Sequence, residues 1–404
     1  MSVKNSYRVL LLEAIHPVAQ KRLEESGFYV ERELKAFKGE ELISRAQGFH
    51  AVGIRSKTQM KSQILQSLPD LEMIGAFCIG TNQIDLDHAN ALGVPVFNAP
   101  YSNTRSVAEL MVCEMIALAR QLGDRNMNAH KGVWQKSAVG ANEIRGKTLG
   151  IVGYGHIGSQ LSVLAEAMGL NVIYYDIVKK LPLGNATPES TLEDLLQKSD
   201  FVSFHVPETP LTKNMMGQKE IALMKKGAYL MNASRGTVVD ISALATALET
   251  EHLAGAAVDV FPKEPASNED LFTSELQNMR NVILTPHIGG STEEAQEAIG
   301  YEVAESIIRY FKSGATSGAV NFPAVDVAMP LEGVPRIVNL HKNVPGVLGA
   351  INSIVSQCGG NIQAQHLSTD PHIGYLIMDM GSGDAEEATK KISELPTSLK
   401  TRLL

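Results

Sequence analysis

The sequence predicts an α/β protein with two doubly wound parallel-sheet domains, one a discontinuous substrate domain and one a Rossmann domain, followed by a small βαββαβ sandwich. Three observations carry this expectation. Short β-branched or apolar runs alternate with amphipathic helical stretches through the first three quarters of the chain, the rhythm of βαβ units whose sheet is covered on both faces. A glycine-rich turn, Gly153-Tyr-Gly-His-Ile-Gly158, lies between an apolar run and a helical one. A stretch rich in proline and glycine, residues 321–335, then sets off a tail of alternating strand and helix patterns.

Taken in order, the runs 8–12, 51–54, 73–76 and 94–97 are the strands of the first sheet, with a helix over 19–27. A long helical pattern, 106–122, leads into a second and cleaner βαβ series, 148–284, and another, 293–312, follows it. The simplest account of these flanking helices is that they carry the chain into the second domain and back. The expected domains are therefore 1–103 with 293–325, and 104–292 between them. The tail, 335–404, reads as strand 336–341, helix 346–358, strand 362–368, strand 375–380, helix 385–395 and strand 399–403. That order is a split βαβ sandwich of about the minimum size that folds alone. There is no internal repeat and no low-complexity tract.

Composition limits the function. At 404 residues more than one domain is expected, and mean hydropathy near zero with 20% charged residues describes a soluble globular protein. No run approaches the ~18 apolar residues of a membrane span, and Met1-Ser-Val-Lys-Asn5 lacks the apolar region of a secretory signal. A net charge of −8 argues against general affinity for nucleic acid or acidic membrane. Any anion must then meet a local cluster of positive charge. Cys78, Cys113 and Cys358 are odd in number and have neither metal-ligand nor redox spacing. They are expected as reduced core thiols of a cytoplasmic protein, and no metal site is expected.

A GxGxxG by itself is a weak signal, but here it follows the buried-strand run Leu149-Gly-Ile-Val152 and opens a helix over 159–168. Gly153, Gly155 and Gly158 let the backbone turn tightly and approach a pyrophosphate, whose charge sits at the helix N-terminus. The next strand, 171–175, ends in Asp176. Its carboxylate is placed to accept hydrogen bonds from an adenosine ribose and to repel a 2'-phosphate, which favours NAD over NADP. Lys179 and Lys180 are a counter-signal, better read as a solvated loop.

Three further residues end apolar strands or follow them. Arg235 comes after the run 228–231, at the strand end where doubly wound sheets place ligands, although an isolated arginine there is ordinarily a surface residue. Glu264 lies in Asp259-Val-Phe-Pro-Lys-Glu-Pro265, where a glutamate alone is ordinarily loop. His287 lies in Leu284-Thr-Pro-His-Ile-Gly-Gly290; most of the 11 histidines, such as His16, His50 and His252, are expected to be structural or exposed. Together the three are the set needed to move a hydride on and off a 2-hydroxy acid. Arginine can hold a carboxylate with two parallel hydrogen bonds, histidine can take the hydroxyl proton, and glutamate can keep that histidine basic and oriented.

With Phe77-Cys-Ile-Gly-Thr-Asn82, Asn98-Ala-Pro-Tyr-Ser-Asn103, Ser106-Val-Ala-Glu109 and Gly184-Asn-Ala-Thr187, these segments resemble the D-isomer-specific 2-hydroxyacid dehydrogenase family, over essentially the whole chain. The likeness is to short members that end in an ACT domain. It implies Arg235 as substrate anchor, His287 as acid/base and Glu264 as its partner. It also implies NAD at His156, Ile157, Asp176, Ala233, Ser234, Asp259 and the loop Ile288, Gly289 and Gly290. The implied substrate pair is D-3-phosphoglycerate and 3-phosphohydroxypyruvate, at the first step of L-serine synthesis. A phosphorylated substrate needs a second anion site. Arg55-Ser56-Lys57 is the natural candidate, with Gly80, Thr81 and Asn103 as further donors.

In relatives, lysines and a tryptophan near Lys38, Trp134 and Lys136 lie at the neighbouring subunit's site. A lone core or interface tryptophan is an equal alternative for Trp134. The tail carries His341, Asn343 and Asn361, positions that in the family hold the inhibitor L-serine between ACT domains. A homotetramer joined through the NAD and ACT domains is implied. One departure is that Gly333 stands alone between Pro330 and Pro335, where close relatives have paired glycines, so a stiffer linker is expected. Two other functions are weighed: reduction of an unphosphorylated oxo acid such as 2-oxoglutarate or glyoxylate, and a sensor or co-repressor that has lost catalysis.

Overall fold

The computed structural model describes residues 7–265 and 269–404. The N-terminal pentapeptide, expected to lack a secretory signal, lies outside them. The chain divides into two compact units, residues up to 102 with 296–404, and residues 103–295.

The first unit opens with β1 (Arg8–Leu11), α1 (Pro17–Glu25), β2 (Tyr29–Arg32), α2 (Gly39–Ala46), β3 (Ala51–Ile54), α3 (Ser62–Gln66), β4 (Met73–Ala76), α4 (Leu86–Ala91) and β5 (Val96–Asn98). Its five strands are parallel in the order β2-β1-β3-β4-β5. Both faces are covered, which explains the unbroken apolar runs. Leu10, Val52 and Ile74 pack with Leu42, Leu65 and Ala89 of α2, α3 and α4. Val9, Leu11 and Met73 pack on the other side with Leu23 of α1 and with Val303 and Ile307. The edge strand β2 was not legible, because Tyr29 is exposed and Val30–Arg32 are only half-buried, leaving no apolar alternation.

The second unit contains α5 (Thr104–Ala119), α6 (Leu122–His130), β6 (Thr148–Val152), α7 (His156–Ala167), β7 (Asn171–Tyr175), β8 (Thr187–Pro188), α8 (Leu192–Lys198), β9 (Phe201–Phe204), α9 (Gln218–Leu223), β10 (Ala228–Asn232), a 3-10 turn (Gly236–Val238), α10 (Ile241–Glu249), β11 (Leu253–Val258) and β12 (Val282–Leu284). The seven strands form a parallel sheet in the order β12-β11-β10-β9-β6-β7-β8. Strand order reverses beside β6, and such a switch point leaves a crevice at the strand C-termini. The helix expected over 106–122 is in fact two. Gln121 takes a left-handed φ of 51°, and Asn142 N–H caps the Ala119 carbonyl at 2.7 Å. The only punctuation nearby is Gly123, in the first turn of α6, and a single glycine inside a helical pattern is a weak sign of a break.

After α11 (Glu293–Ser313), the tail forms β13 (Arg336–Lys342), α12 (Val347–Gln357), β14 (Asn361–Thr369), β15 (Ile373–Ser382), α13 (Ala385–Ser393) and β16 (Ser398–Leu403). Its antiparallel sheet has the order β14-β15-β13-β16. Ile337, Leu376 and Met378 face the helices. On the other face, Val338, Leu340, Tyr375 and Ile377 receive Phe322 and Val325.

The stretch 321–335 is thus only partly the linker expected. Its front half is packed in place, and Asn321 bonds Val96 N–H, Leu86 O and Val94 O. Proline and glycine mark irregular backbone there rather than freedom. The tail has its own sheet and core, yet it belongs to the first compact unit. Arg336 forks onto both oxygens of Asp379 and reaches Ser313 O and Ala328 O. Tyr375 donates to Gly314 O, and Lys400 to Leu71 O. Arg402 bonds Glu72 and lies 4.3 Å from the Tyr310 ring centroid.

Cys78, Cys113 and Cys358 form no disulfide, but they are not core thiols. Cys113 is exposed on the outer face of α5, and Cys78 and Cys358 are half-buried. Among the described residues no group of His, Cys, Asp and Glu could hold a metal ion, and no helix is long and apolar enough to cross a membrane.

Candidate active site

Gly153 follows β6 at φ 92°. A side chain there would overlap the His205 carbonyl, and one on Gly158 would overlap the Gly153 carbonyl. Those two glycines are demanded by the protein's own backbone. Gly155 differs: a Cβ built on it meets nothing within 4 Å. It caps α7 without a side-chain acceptor, so the opening beside it borders backbone donors at a helix N-terminus. Such a cradle fits a pyrophosphate. Asp176, at the end of β7, accepts from Tyr154 N–H (2.8 Å) and Val178 N–H (2.9 Å), which pins its carboxylate to the lip of the turn. Ile157 packs beneath, against the core formed by α5 and β6.

At the end of β10, buried Asn232 organises a tight turn. Its Oδ1 accepts from Ser234 N–H and Oγ–H, and its Nδ2 donates to Arg235 O at 3.0 Å. Ala233 and Ser234 are thereby fixed beside Arg235, whose Nη1 donates to Ser234 O. Gly236 lies so close to the Phe261–Pro262 backbone that no Cβ fits, and this brings Arg235 up to the loop after β11.

That loop begins with Asp259, which is 1% exposed. Its Oδ1 accepts from Thr285 Oγ–H (2.6 Å) and Ile288 N–H (2.8 Å), and its Oδ2 accepts from Gly289 N–H (2.8 Å). His287 N–H donates to the Asp259 carbonyl at 2.8 Å. Expected among the cofactor contacts, Asp259 has both oxygens occupied by the histidine loop and serves as its peg. Gly290 lies against the Asn103 amide, leaving no room for a side chain, and Asn103 Oδ1 is buried without a partner.

His287 sits at φ 55°, a left-handed conformation uncommon outside glycine and costly enough to mark a constrained site. Its Nδ1 is 2.9 Å from Glu264 Oε2, and Glu264 Oε1 accepts from Phe261 N–H. The Glu264 hydrogen bond, and then its charge, hold the imidazole above its ordinary pKa despite partial burial. For Glu264, burial pushes the carboxyl up, but the His287 bond and charge, the Phe261 N–H and the Arg235 charge outweigh it and hold it below the usual range. Both shifts describe one polarised pair beside a fixed cation. With Nδ1 engaged, Nε2 is the nitrogen left for a substrate.

Glu114 was missed in the sequence. It is buried on α5 with both oxygens unpartnered, and burial, then the Asp259 charge, push its pKa up to about 8. Its signal was an acid on the apolar face of α5, beside Met111, Met115 and Leu118.

In the first unit, Arg55, Ser56 and Lys57 follow β3, and Gly80 and Thr81 follow its neighbour β4. Gln83 Nε2 joins the two segments by donating to Arg55 O (2.8 Å) and Gly80 O (3.2 Å). In the tail, Asn343 and Asn361 are exposed, whereas His341 is 3% exposed and its Nδ1 is 2.9 Å from Asn339 Oδ1. No hydrogen bond among the described residues joins the three. Trp134 is 87% exposed, which removes the core alternative.

The family model for the NAD-binding domain of D-isomer specific 2-hydroxyacid dehydrogenases matches residues 112–289, and that for the AHAS small subunit-like ACT domain matches 337–400. A D-3-phosphoglycerate dehydrogenase of Dictyostelium discoideum is 53% identical over 99% of this chain and 98% of its own length. One from Escherichia coli strain K12 is 52% identical over the same shares. Among solved structures, a D-lactate dehydrogenase of Aquifex aeolicus complexed with NAD and lactic acid superposes with a TM-score of 0.68 at 28% identity, covering 78% of this chain and all of that one. The chain belongs to the D-isomer specific 2-hydroxyacid dehydrogenase family.

Proposed function

We propose that the protein catalyses the reversible NAD-dependent oxidation of D-3-phosphoglycerate to 3-phosphohydroxypyruvate, the first step of L-serine synthesis. The observation that carries the chemistry is the 2.9 Å His287–Glu264 pair, held by Asp259 at the strand ends of the sheet that bears the Gly155 cradle and feeling the charge of Arg235. NAD, when bound, accepts the hydride in oxidation and supplies it in reduction. Arg235 anchors the substrate carboxylate and polarises the neighbouring carbonyl. In oxidation His287 Nε2 takes the hydroxyl proton; in reduction it returns it. Glu264 steadies the imidazolium form and fixes the ring. Arg55 and Lys57 are assigned to the substrate phosphate.

Those two cations disfavour an unphosphorylated oxo acid as main substrate, and an intact Arg235, Glu264 and His287 disfavours a sensor without catalysis. Initial rates with NADH on 3-phosphohydroxypyruvate against 2-oxoglutarate decide the first point, and the absence of turnover on either would favour the second. L-serine is assigned to Asn343 and Asn361 as regulator, with inward-turned His341 behind them. A homotetramer is assigned from the resemblance; the exposed apolar side chains of Leu122, Met127, Val133, Trp134 and Val139, too many on one short segment for a solvated surface, support a subunit interface there. Three thiols outside any disulfide favour the cytoplasm.

A further inference from the structure

Two polar side chains outside the catalytic trio tie the candidate phosphate segment together. Glu13 is only 7% exposed. Its Oε1 accepts from Arg55 N–H (3.1 Å) and Thr58 N–H (2.8 Å), and its Oε2 accepts from Lys57 N–H (3.0 Å). It makes no ion pair among the described residues. Glu13 and Ala14 both adopt left-handed φ, 62° and 52°, a conformation that costs a non-glycine residue energy and persists only when its surroundings enforce it. Gln83, also 7% exposed, donates its amide to Arg55 O, Gly80 O and Cys78 Sγ. The one donor and the one acceptor of the Arg55 backbone are therefore both taken up by buried side chains, and the loops after β3 and β4 are locked to each other.

Successive N–H groups of a loop commonly form an anion-binding concavity. Here a carboxylate fills that concavity from within. An arriving phosphate finds the donors of Arg55, Lys57 and Thr58 already engaged, so beside the Ser56 N–H its recognition rests on the side chains of Arg55 and Lys57. We propose that Glu13 and Gln83 form an internal clamp that sets the enzyme's preference for a phosphorylated over an unphosphorylated 2-oxo acid, by fixing the backbone from which those two cationic side chains project. The clamp rests on the assignment of Arg55 and Lys57 to the substrate phosphate. Neither Glu13 nor Gln83 touches substrate; both are positioning residues.

Glu13→Gln replaces one acceptor oxygen with an NH2 donor, which then faces an N–H. Gln83→Met keeps the length and removes the donors. The measurement is kcat/KM in full-length enzyme, with NADH, for 3-phosphohydroxypyruvate and for hydroxypyruvate, the same oxo acid without phosphate. Each substitution should lower the ratio of the two roughly tenfold or more, chiefly through KM of the phosphorylated substrate. NADH binding, followed by fluorescence, verifies that the variant is folded. Should Glu13→Gln fail to fold, Gln83→Met carries the test alone. Arg55→Ala separates the two layers of the inference. If it leaves the ratio unchanged, the phosphate assignment falls and the clamp with it. If it collapses the ratio while Glu13→Gln or Gln83→Met does not, the assignment stands and the clamp is overturned.

Discussion

The arrangement around His287 makes a directional statement about pH. Glu264 raises the imidazole pKa, so the protonated acid needed for reduction is present below that raised value and lost as pH climbs through it. The neutral base needed for oxidation appears over the same interval, in the opposite sense. Glu264→Gln removes the largest cause of the shift, and both limbs should move to lower pH in profiles of kcat/KM; unmoved limbs would detach Glu264 from the proton step. His287→Ala should cost roughly 10² to 10⁴-fold in turnover while NADH still binds.

Glu114 makes a second prediction, about stability. With its folded pKa raised to about 8, it stays protonated in the folded chain while the unfolded chain has already ionised above about 4.3. Between those values stability falls by roughly 1.4 kcal/mol per pH unit, and above them the loss is complete. Glu114→Gln, neutral throughout, should therefore gain on the native protein from pH 5 to 8 in urea unfolding. A constant difference across that range would show that Glu114 does not carry the buried proton. Arg235, Glu264 and His287 were legible because each is a reactive type just past a strand. The bracing by Asp259 was not, since it depends on Thr285, Ile288 and Gly289, a segment distant in the chain.

The glycine turn allows the two demands on an element to be told apart. Gly158 is required by the Gly153 carbonyl, whereas Gly155 faces open space. Gly158→Ala should lower stability by about 1–3 kcal/mol through overpacking and weaken NADH binding as a consequence. Gly155→Ala should leave the melting temperature within a degree or two yet weaken NADH binding strongly, because its methyl occupies room needed by the ligand. Calorimetry and thermal unfolding on the pair give the answer, and equal NADH affinity for Gly155→Ala and the native chain would remove that opening from the cofactor site. Elements were legible where burial imposes a pattern: β1, β3 and β4 have apolar runs because both sheet faces are covered, and every strand and helix of the tail falls within a few residues of expectation. Edge strand β2, the break at Gln121 and the packed half of 321–335 were hidden, because long-range packing decides them.

At the scale of the molecule, the attachment of the tail matters more than its linker. A proline-flanked Gly333 suggested weak coupling between regulatory and catalytic parts, but the tail is also held to the first unit by β16. Lys400 donates to Leu71 O, and Arg402 reaches Glu72, the two residues that lead into β4. Strand β4 in turn ends at the segment carrying Gly80 and Thr81. A displacement of β16 thus has a short covalent and hydrogen-bonded route to a candidate substrate loop, without passing through 329–335. Serine can act along that route only if it binds one arrangement of the tail better than another. Arg402→Met keeps much of the apolar stem over Tyr310 and removes the charge from Glu72. It should reduce inhibition by L-serine at saturation while serine still binds by calorimetry, whereas Asn343→Ala and Asn361→Ala should abolish binding and inhibition together and spare basal turnover. If Arg402→Met is inhibited as fully as the native enzyme, the β16 route is wrong and the signal must travel through the linker. If serine binds none of these proteins, native chain included, the tail is an assembly module rather than a sensor.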